Sequence, residues 1–221
     1  MQRIHTTLER FAEFIYNSNL IEGISELSYS AILKDVKNLL TQKKNRTHTA
    51  AFADIYDLAR EQKNFRLRDL LRIHAKITFE QLVLGHPIET KYIGKLRDCG
   101  VRIGFGIIPP PAREDLQKFF RGFNRATKSI NSKNLFKFLS EQHLVFERIH
   151  PFADGNGRAG RLLLAYQFLF AQFAEKISSK LLLPQVGNSK KQAYYIAFRL
   201  FESGEKKLAI KKLADFLEES S

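Results

Sequence analysis

The sequence predicts an all-α protein, a helical bundle that carries one small β-hairpin. Three observations point there. Apolar residues recur at helical spacing along most of the 221 residues. One stretch, Lys91–Pro111, breaks that period with four glycines and a closing run of three prolines. The aromatic content rests on 19 phenylalanines with no tryptophan, which suggests a core built on Phe and Leu.

The elements follow in chain order. Leu8, Phe11, Ala12 and Ile15 repeat at i, i+3, i+4 and i+7 after Thr6 and Thr7, either of which can cap a helix. Ile32, Leu33, Val36, Leu39 and Leu40 repeat the pattern after Ser28. Phe52, Ile55, Tyr56 and Ala59 form a third stripe, and Leu67, Leu70, Leu71 and His74 a fourth. Leu116, Phe119, Phe120 and Phe123 form a fifth, with Glu114 and Asp115 in a first turn where carboxylates complement the helix dipole. Leu135–Arg148 and Gly160–Ala174 read as two long helices, and Tyr194–Phe201 and Ala209–Leu217 as two more. Within Lys91–Pro111, Val101-Arg102-Ile103 alternates like a strand, Gly104-Phe105-Gly106 can turn, and Ile107-Ile108 can return as a second strand. Pro109–Pro111 then forbid a helix until Ala112.

Lys and Arg exceed Asp and Glu by 13, so the chain favours anionic partners without choosing among them. A single cysteine, Cys99, excludes an intrachain disulfide and a Cys-rich zinc site, and suits a reducing compartment. The N-terminus lacks the apolar core of a signal peptide. The most apolar stretch, Leu162–Ala174, is interrupted by Gln167 and Gln172 and is shorter than the roughly 20 residues that span a bilayer. A cytoplasmic protein without membrane contact is expected. The basic clusters Lys43-Lys44-Arg46, Lys190-Lys191, Lys206-Lys207 and Lys211-Lys212 read as solvated faces. No helix-turn-helix or zinc module accompanies them, so a nucleic-acid partner is not expected.

Chemistry concentrates in Ile149–Leu163, IHPFADGNGRAGRLL. Pro151 ends the preceding helix at His150. Gly155-Asn156-Gly157 lets the backbone turn tightly and approach a ligand. A glycine-rich loop feeding a helix N-terminus presents unpaired N–H groups to an anion. Arg158 and Arg161, three apart, share a helical face and can grip phosphate oxygens with forked donors. Asp154 can hold Mg²⁺ together with substrate phosphates. His150 can accept a hydroxyl proton near neutral pH. These parts suit phosphoryl or nucleotidyl transfer. His74 and His143 lie on apolar stripes and read as packed core residues, and Cys99 as incidental.

The run HPFADGNGRAGR resembles the H-x-F-x-[DE]-G-N-G-R-x-x-R signature of the Fic (filamentation induced by cAMP) family of the Fido fold at every fixed position. Phe146, Ile149, Leu162–Leu164, His143, the hairpin closed by Pro109–Pro111 and the Tyr194-Tyr195 pair also look like the Fic core. The resemblance covers about residues 15–205. It implies a helical bundle with a β-hairpin flap that transfers AMP from ATP to a hydroxyl of a target protein. It makes His150 the general base, Phe152 a buried anchor and Asp154 the holder of Mg²⁺. Gly155, Asn156 and Gly157 would form the anion hole, and Arg158 and Arg161 would hold the β- and γ-phosphates. The flap residues Val101, Arg102, Ile103, Ile107 and Ile108 would clamp the target by strand addition. Tyr194 and Tyr195 would lie near the nucleoside. Where the family often has Asn in the adenine pocket, this chain has Glu202.

Ser18-Asn-Leu-Ile-Glu22-Gly23 matches the family's [ST]-x-x-x-E-[GN] inhibitory signature. The resemblance implies that Glu22 pairs with Arg161 and restrains the site in cis, with residues 1–25 as the inhibitory helix and 26–221 as the Fic core. It also allows self-association. Other Fido branches offer alternatives: phosphorylation, as in the death-on-curing branch, phosphocholine or UMP transfer, or removal of AMP with Glu22 orienting water. A non-enzymatic basic adaptor for nucleic acid or an acidic protein is the alternative from another class.

Overall fold

The structure, a computed structural model, describes residues 2–38, 47–103, 106–185 and 191–221. Among them the chain forms α1 (Gln2–Ile21), α2 (Tyr29–Asn38), α3 (His48–Arg60), α4 (Leu67–Val83), a 3-10 turn (Thr90–Tyr92), β1 (Val101–Ile103), β2 (Gly106–Ile108), α5 (Arg113–Ser129), α6 (Leu135–Ile149), α7 (Asn156–Phe173), α8 (Lys191–Glu202) and α9 (Lys206–Glu219). Leu39, Leu40, Lys43-Lys44-Arg46, Gly104-Phe105 and Lys190, read above from the sequence, lie outside the described residues.

Within the described residues, every predicted apolar stripe falls on one of these helices. Ser28 caps α2, its Oγ accepting from Ala31 N at 3.2 Å. Two starts differ from the reading. α1 begins at Gln2, so Thr6 and Thr7 lie inside it and not at its start. No Gly or Pro stands upstream to stop the helix from extending. α7 begins at Asn156, ahead of Gly160, because the loop turns into the helix at Gly155.

α7 is the central strut. From Arg158 to Ala171 it is buried on all sides, as a helix with no solvated face must be. It packs against α1, α3, α4, α5 and α6. Its one amide there, Gln167, donates from Nε2 to Thr127 Oγ1 at 2.9 Å. Phenylalanines fill the space around it. Phe65 stacks on Phe120 with centroids 5.6 Å apart and meets Tyr166 edge-on at 5.2 Å. Phe11 of α1 packs on Phe52 of α3 at 4.9 Å, so the N-terminal helix shares the common core. Burying each such ring is worth about 2 kcal/mol or more. α8 and α9 pack together beside α6.

β1 and β2 pair antiparallel with Val101 opposite Ile108 and Arg102 opposite Ile107. A two-stranded hairpin is marginal alone. Here it is fastened at its base by the buried Arg97, described below.

Candidate active site

α6 ends at Ile149, and His150 caps it in the left-handed region, with φ 48°. Its N–H donates to Phe146 O at 3.1 Å. Pro151 and Phe152 then carry the chain into the core. Phe152 is fully buried and lies flat on the His74 ring, with centroids 3.6 Å apart and planes 4° apart. Asn156 locks the turn, accepting from Phe152 N at 2.9 Å through Oδ1 and donating to Phe152 O at 2.8 Å through Nδ2. That side chain is committed to holding the turn, so what Asn156 turns toward the α7 N-terminus is its backbone N–H. Gly155 caps α7 with φ 78°, which a side chain would strain. The first intrahelical bond runs from Ala159 N to Gly155 O, which leaves the N–H groups of residues 156–158 without intrahelical partners.

His74 does more than pack. Gly94 N donates to its Nδ1 at 3.1 Å, so its Nε2 carries the proton and donates to Asp154 O at 2.9 Å. Burial pushes its pKa down to about 4, which keeps it neutral. Burial likewise drops the pKa of His143 to about 3, and its Nε2 bonds the Tyr194 hydroxyl.

The two motif arginines are both almost wholly buried, yet they point apart. Arg158 turns to α4, where Nη1 donates to Ile77 O at 3.1 Å and Nη2 donates to Gln81 Oε1. The same Gln81 donates from Nε2 to Asp154 Oδ2 at 2.7 Å, and Asp154 Oδ1 accepts from Gly155 N at 2.5 Å. Gln81 thus ties the carboxylate to the guanidinium. Arg161 turns to α1. Its Nε donates to Ser18 Oγ at 2.9 Å, and its Nη2 to Ser18 O at 3.0 Å and Glu22 Oε1 at 2.6 Å. Burial opposes the charge on Arg161, but the facing Glu22 carboxylate outweighs it and raises its pKa. Gly157 matters for space: a Cβ there would collide with Glu22 Oε1. The carboxylate therefore rests against the loop backbone at the α7 N-terminus. Gly23 follows with φ 78° and ends the segment that delivers Glu22. Three residues before Glu22, Asn19 is bonded through Oδ1 to His48 Nδ1 at 2.8 Å, a second link from α1 to the bundle.

A cleft of about 1430 Å³ opens over this arrangement. Glu22, Glu147, His150, Gly157, Arg161 and Tyr195 contribute to its wall. His150 Nδ1 donates to Glu147 O at 3.2 Å, leaving Nε2 as the ring's acceptor. Burial lowers the His150 pKa below its usual value. Tyr194 is buried beneath Arg161's side of the cleft, and Tyr195 is 38% exposed in it. Arg102 of β1 also reaches it, and Glu202 lies at the α8 end, 3.8 Å from Arg148.

Three site residues carry no signal in the sequence. Gln81 and Arg97 lie far from the motif and are defined by tertiary contacts. Glu147, three residues before His150, brings a buried Oε1 without a hydrogen-bond partner. Burial pushes its pKa up to about 8, against the opposing pull of Arg161. Among the described residues no three His, Cys, Asp or Glu side chains cluster as a metal site. Asp154 is an exposed, single carboxylate, which fits Mg²⁺ that takes most of its ligands from phosphates and water. No helix of the described residues is long and apolar enough to cross a membrane.

The bundle, its hairpin and the loop between α6 and α7 define a Fic-type fold. A solved Fic-domain signalling protein from Bacteroides thetaiotaomicron superposes with a TM-score of 0.66 over 99% of this chain and 86% of that one, at 17% identity. Fic-1 from C. elegans gives 0.59 over 95% of this chain and 61% of that one, at 18% identity. Residues 64–168 match the family model described as the Fic/DOC family. Over those residues the chain carries a Fic/DOC-family domain. Curated relatives named Protein adenylyltransferase Fic are similar to it. The one from Nematostella vectensis is 32% identical over 71% of this chain and 37% of the relative. The one from Drosophila melanogaster is 28% identical over 96% of this chain and 42% of the relative. The chain thus spans about two-fifths of the length of these relatives.

Proposed function

We propose that this chain is a protein adenylyltransferase that moves AMP from ATP to a hydroxyl of a target protein, and that Glu22 restrains it in cis. The observation that carries the reading is the Glu22 carboxylate lodged against Gly157 and paired with Arg161. The space it fills accepts anionic oxygens. That the relatives are named as adenylyltransferases supports a nucleotide as the source of those oxygens.

In this reading Gly155 shapes the turn, its own N–H held by Asp154, and the triphosphate lies over the backbone N–H groups of Asn156, Gly157 and Arg158, where aligned helix N–H groups favour negative charge. Arg161 meets a terminal phosphate once Glu22 leaves, and Arg158 adds positive charge from the α4 side. Asp154 would hold Mg²⁺, which neutralises phosphate charge when bound. Tyr195 and the α8 end of the cleft receive the nucleoside, with Glu202 at the base edge and the buried Tyr194 beneath. The target segment lies along the hairpin Val101–Ile108 by main-chain pairing. His150 Nε2 takes the proton from the target hydroxyl. The freed oxygen bonds to the α-phosphorus, the bond to the bridging oxygen breaks, and pyrophosphate leaves. Residues 1–25 serve as the restraint and residues 26–221 as the catalytic part.

Parallel incubations of Glu22→Gly with ATP labelled at the α- or the γ-phosphate test this. Protein-bound label from the α-position alone supports the reading. Label from the γ-position alone identifies a kinase and overturns it. His150→Ala should remove the signal by about 100-fold or more.

A further inference from the structure

We propose that Arg97 is a positioning residue that locks the flap and the base histidine into one unit. Arg97 is 2% exposed, and no ion pair offsets its charge among the described residues. Instead it spends its donors on backbone carbonyls. Nε donates to His150 O at 2.7 Å. Nη1 donates to Cys99 O at 2.5 Å and Ile108 O at 3.2 Å, and Nη2 to Pro109 O at 2.7 Å. Its own N–H donates to Pro151 O at 3.0 Å.

These partners fall into two groups. Cys99 precedes β1, while Ile108 and Pro109 end β2, so one guanidinium bridges both legs of the hairpin. His150 and Pro151 are the two carbonyls that follow the imidazole. His150 sits in a left-handed conformation that costs a non-glycine residue free energy, and it persists only where its surroundings hold it. Arg97 grips the peptide groups on its C-terminal side, while Phe146 O and Glu147 O hold its N–H and ring on the other. The guanidinium meets four carbonyls with donors in fixed directions, more than the three rotating donors of an ammonium can serve. The spacing between a segment paired to the flap and His150 Nε2 is therefore set by this one side chain. The inference rests on the adenylyltransferase reading for its kinetic consequence only.

The test uses Arg97→Lys and Arg97→Met in the Glu22→Gly background. Misplacing reacting groups by about 1 Å can cost about 100-fold. We expect kcat to fall by about 30- to 100-fold, with the Kd for Mg–ATP by calorimetry changed less than about 3-fold. Ethylguanidinium added to Arg97→Met should restore part of kcat. Amide exchange at 101–103 and 106–108 should quicken by about 10-fold or more, and the His150 ring should titrate closer to its ordinary value. Unchanged kcat in folded Arg97→Lys and Arg97→Met overturns the proposal. So does a parallel loss of ATP affinity and kcat without guanidinium rescue, which marks a merely structural residue. If the Glu22→Gly parent transfers no nucleotide, the functional reading fails. The exchange and histidine titrations then still decide the coupling.

Discussion

The two sides of the α7 N-terminus solve the same problem differently. Each buries a guanidinium. On the α4 side Arg158 is met by neutral groups, the Ile77 carbonyl and the Gln81 amide. On the α1 side Arg161 is met by a carboxylate whose side chain is 29% exposed. The first arrangement orients a charge without cancelling it. The second cancels a charge with a group that stays partly open to solvent, and in the proposed function that group leaves again. Permanent parts of a site should have neutral, buried partners, and switchable parts should have a charged, accessible one.

The proposed roles make this contrast breakable. The largest effect is expected from Arg158→Met. Removing a preorganised cation from a buried site costs about 3 kcal/mol, or about 100-fold. Transfer by Glu22→Gly/Arg158→Met should fall by that factor relative to Glu22→Gly, as measured by labelled AMP incorporation. Gly157→Ala comes next. Its methyl would displace Glu22 yet occupy the same anion space. It should loosen the α1 side without activating the enzyme, remaining about tenfold below Glu22→Gly in the same assay.

A pH effect sharpens the comparison on the cleft wall. Glu147 holds its proton up to about pH 8 in the fold, whereas an unfolded glutamate ionises near 4.5. Between those values the folded state binds the extra proton, so its stability falls as pH rises. From pH 6.5 to 8 the loss is about 2 kcal/mol at most, or about 4 °C in Tm. Glu147→Gln should flatten that decline in thermal melts. In the opposite direction, His74 and His143 stay neutral to about pH 4 and 3. The fold therefore loses stability as pH drops from 6.5 toward those values. The smallest effect is expected at Asn19. Losing its bond to His48 should slacken α1 and raise basal transfer by Asn19→Ala about 3-fold, a loss of under 1 kcal/mol of restraint.

Much of this was legible in the residues. The α5 stripe Leu116, Phe119, Phe120 and Phe123 is a helix with that face buried. The alternation at Val101–Ile103 is a strand, because the prolines and glycines around it leave few other conformations. The loop chemistry was readable because its residues are adjacent in sequence. The spacing of Arg158 and Arg161 predicted a shared face, and there the one-dimensional argument stopped. Long side chains choose partners in three dimensions, and α1 and α4 flank the helix on different sides. Gln81, Arg97 and Glu147 were not visible for the same reason. An isolated glutamine on α4 or arginine in a loop acquires its role only from carbonyls and carboxylates that the fold brings near.

The central claim is that the Glu22 carboxylate, in the turn that follows α1, occupies the place of a substrate phosphate. The direct measurement is incorporation of α-labelled AMP by purified Glu22→Gly against the wild-type chain, with folding of both checked by circular dichroism. The account predicts incorporation at least about tenfold higher in the variant, the equivalent of removing one buried charge-assisted bond. Equal incorporation by two folded proteins would contradict it.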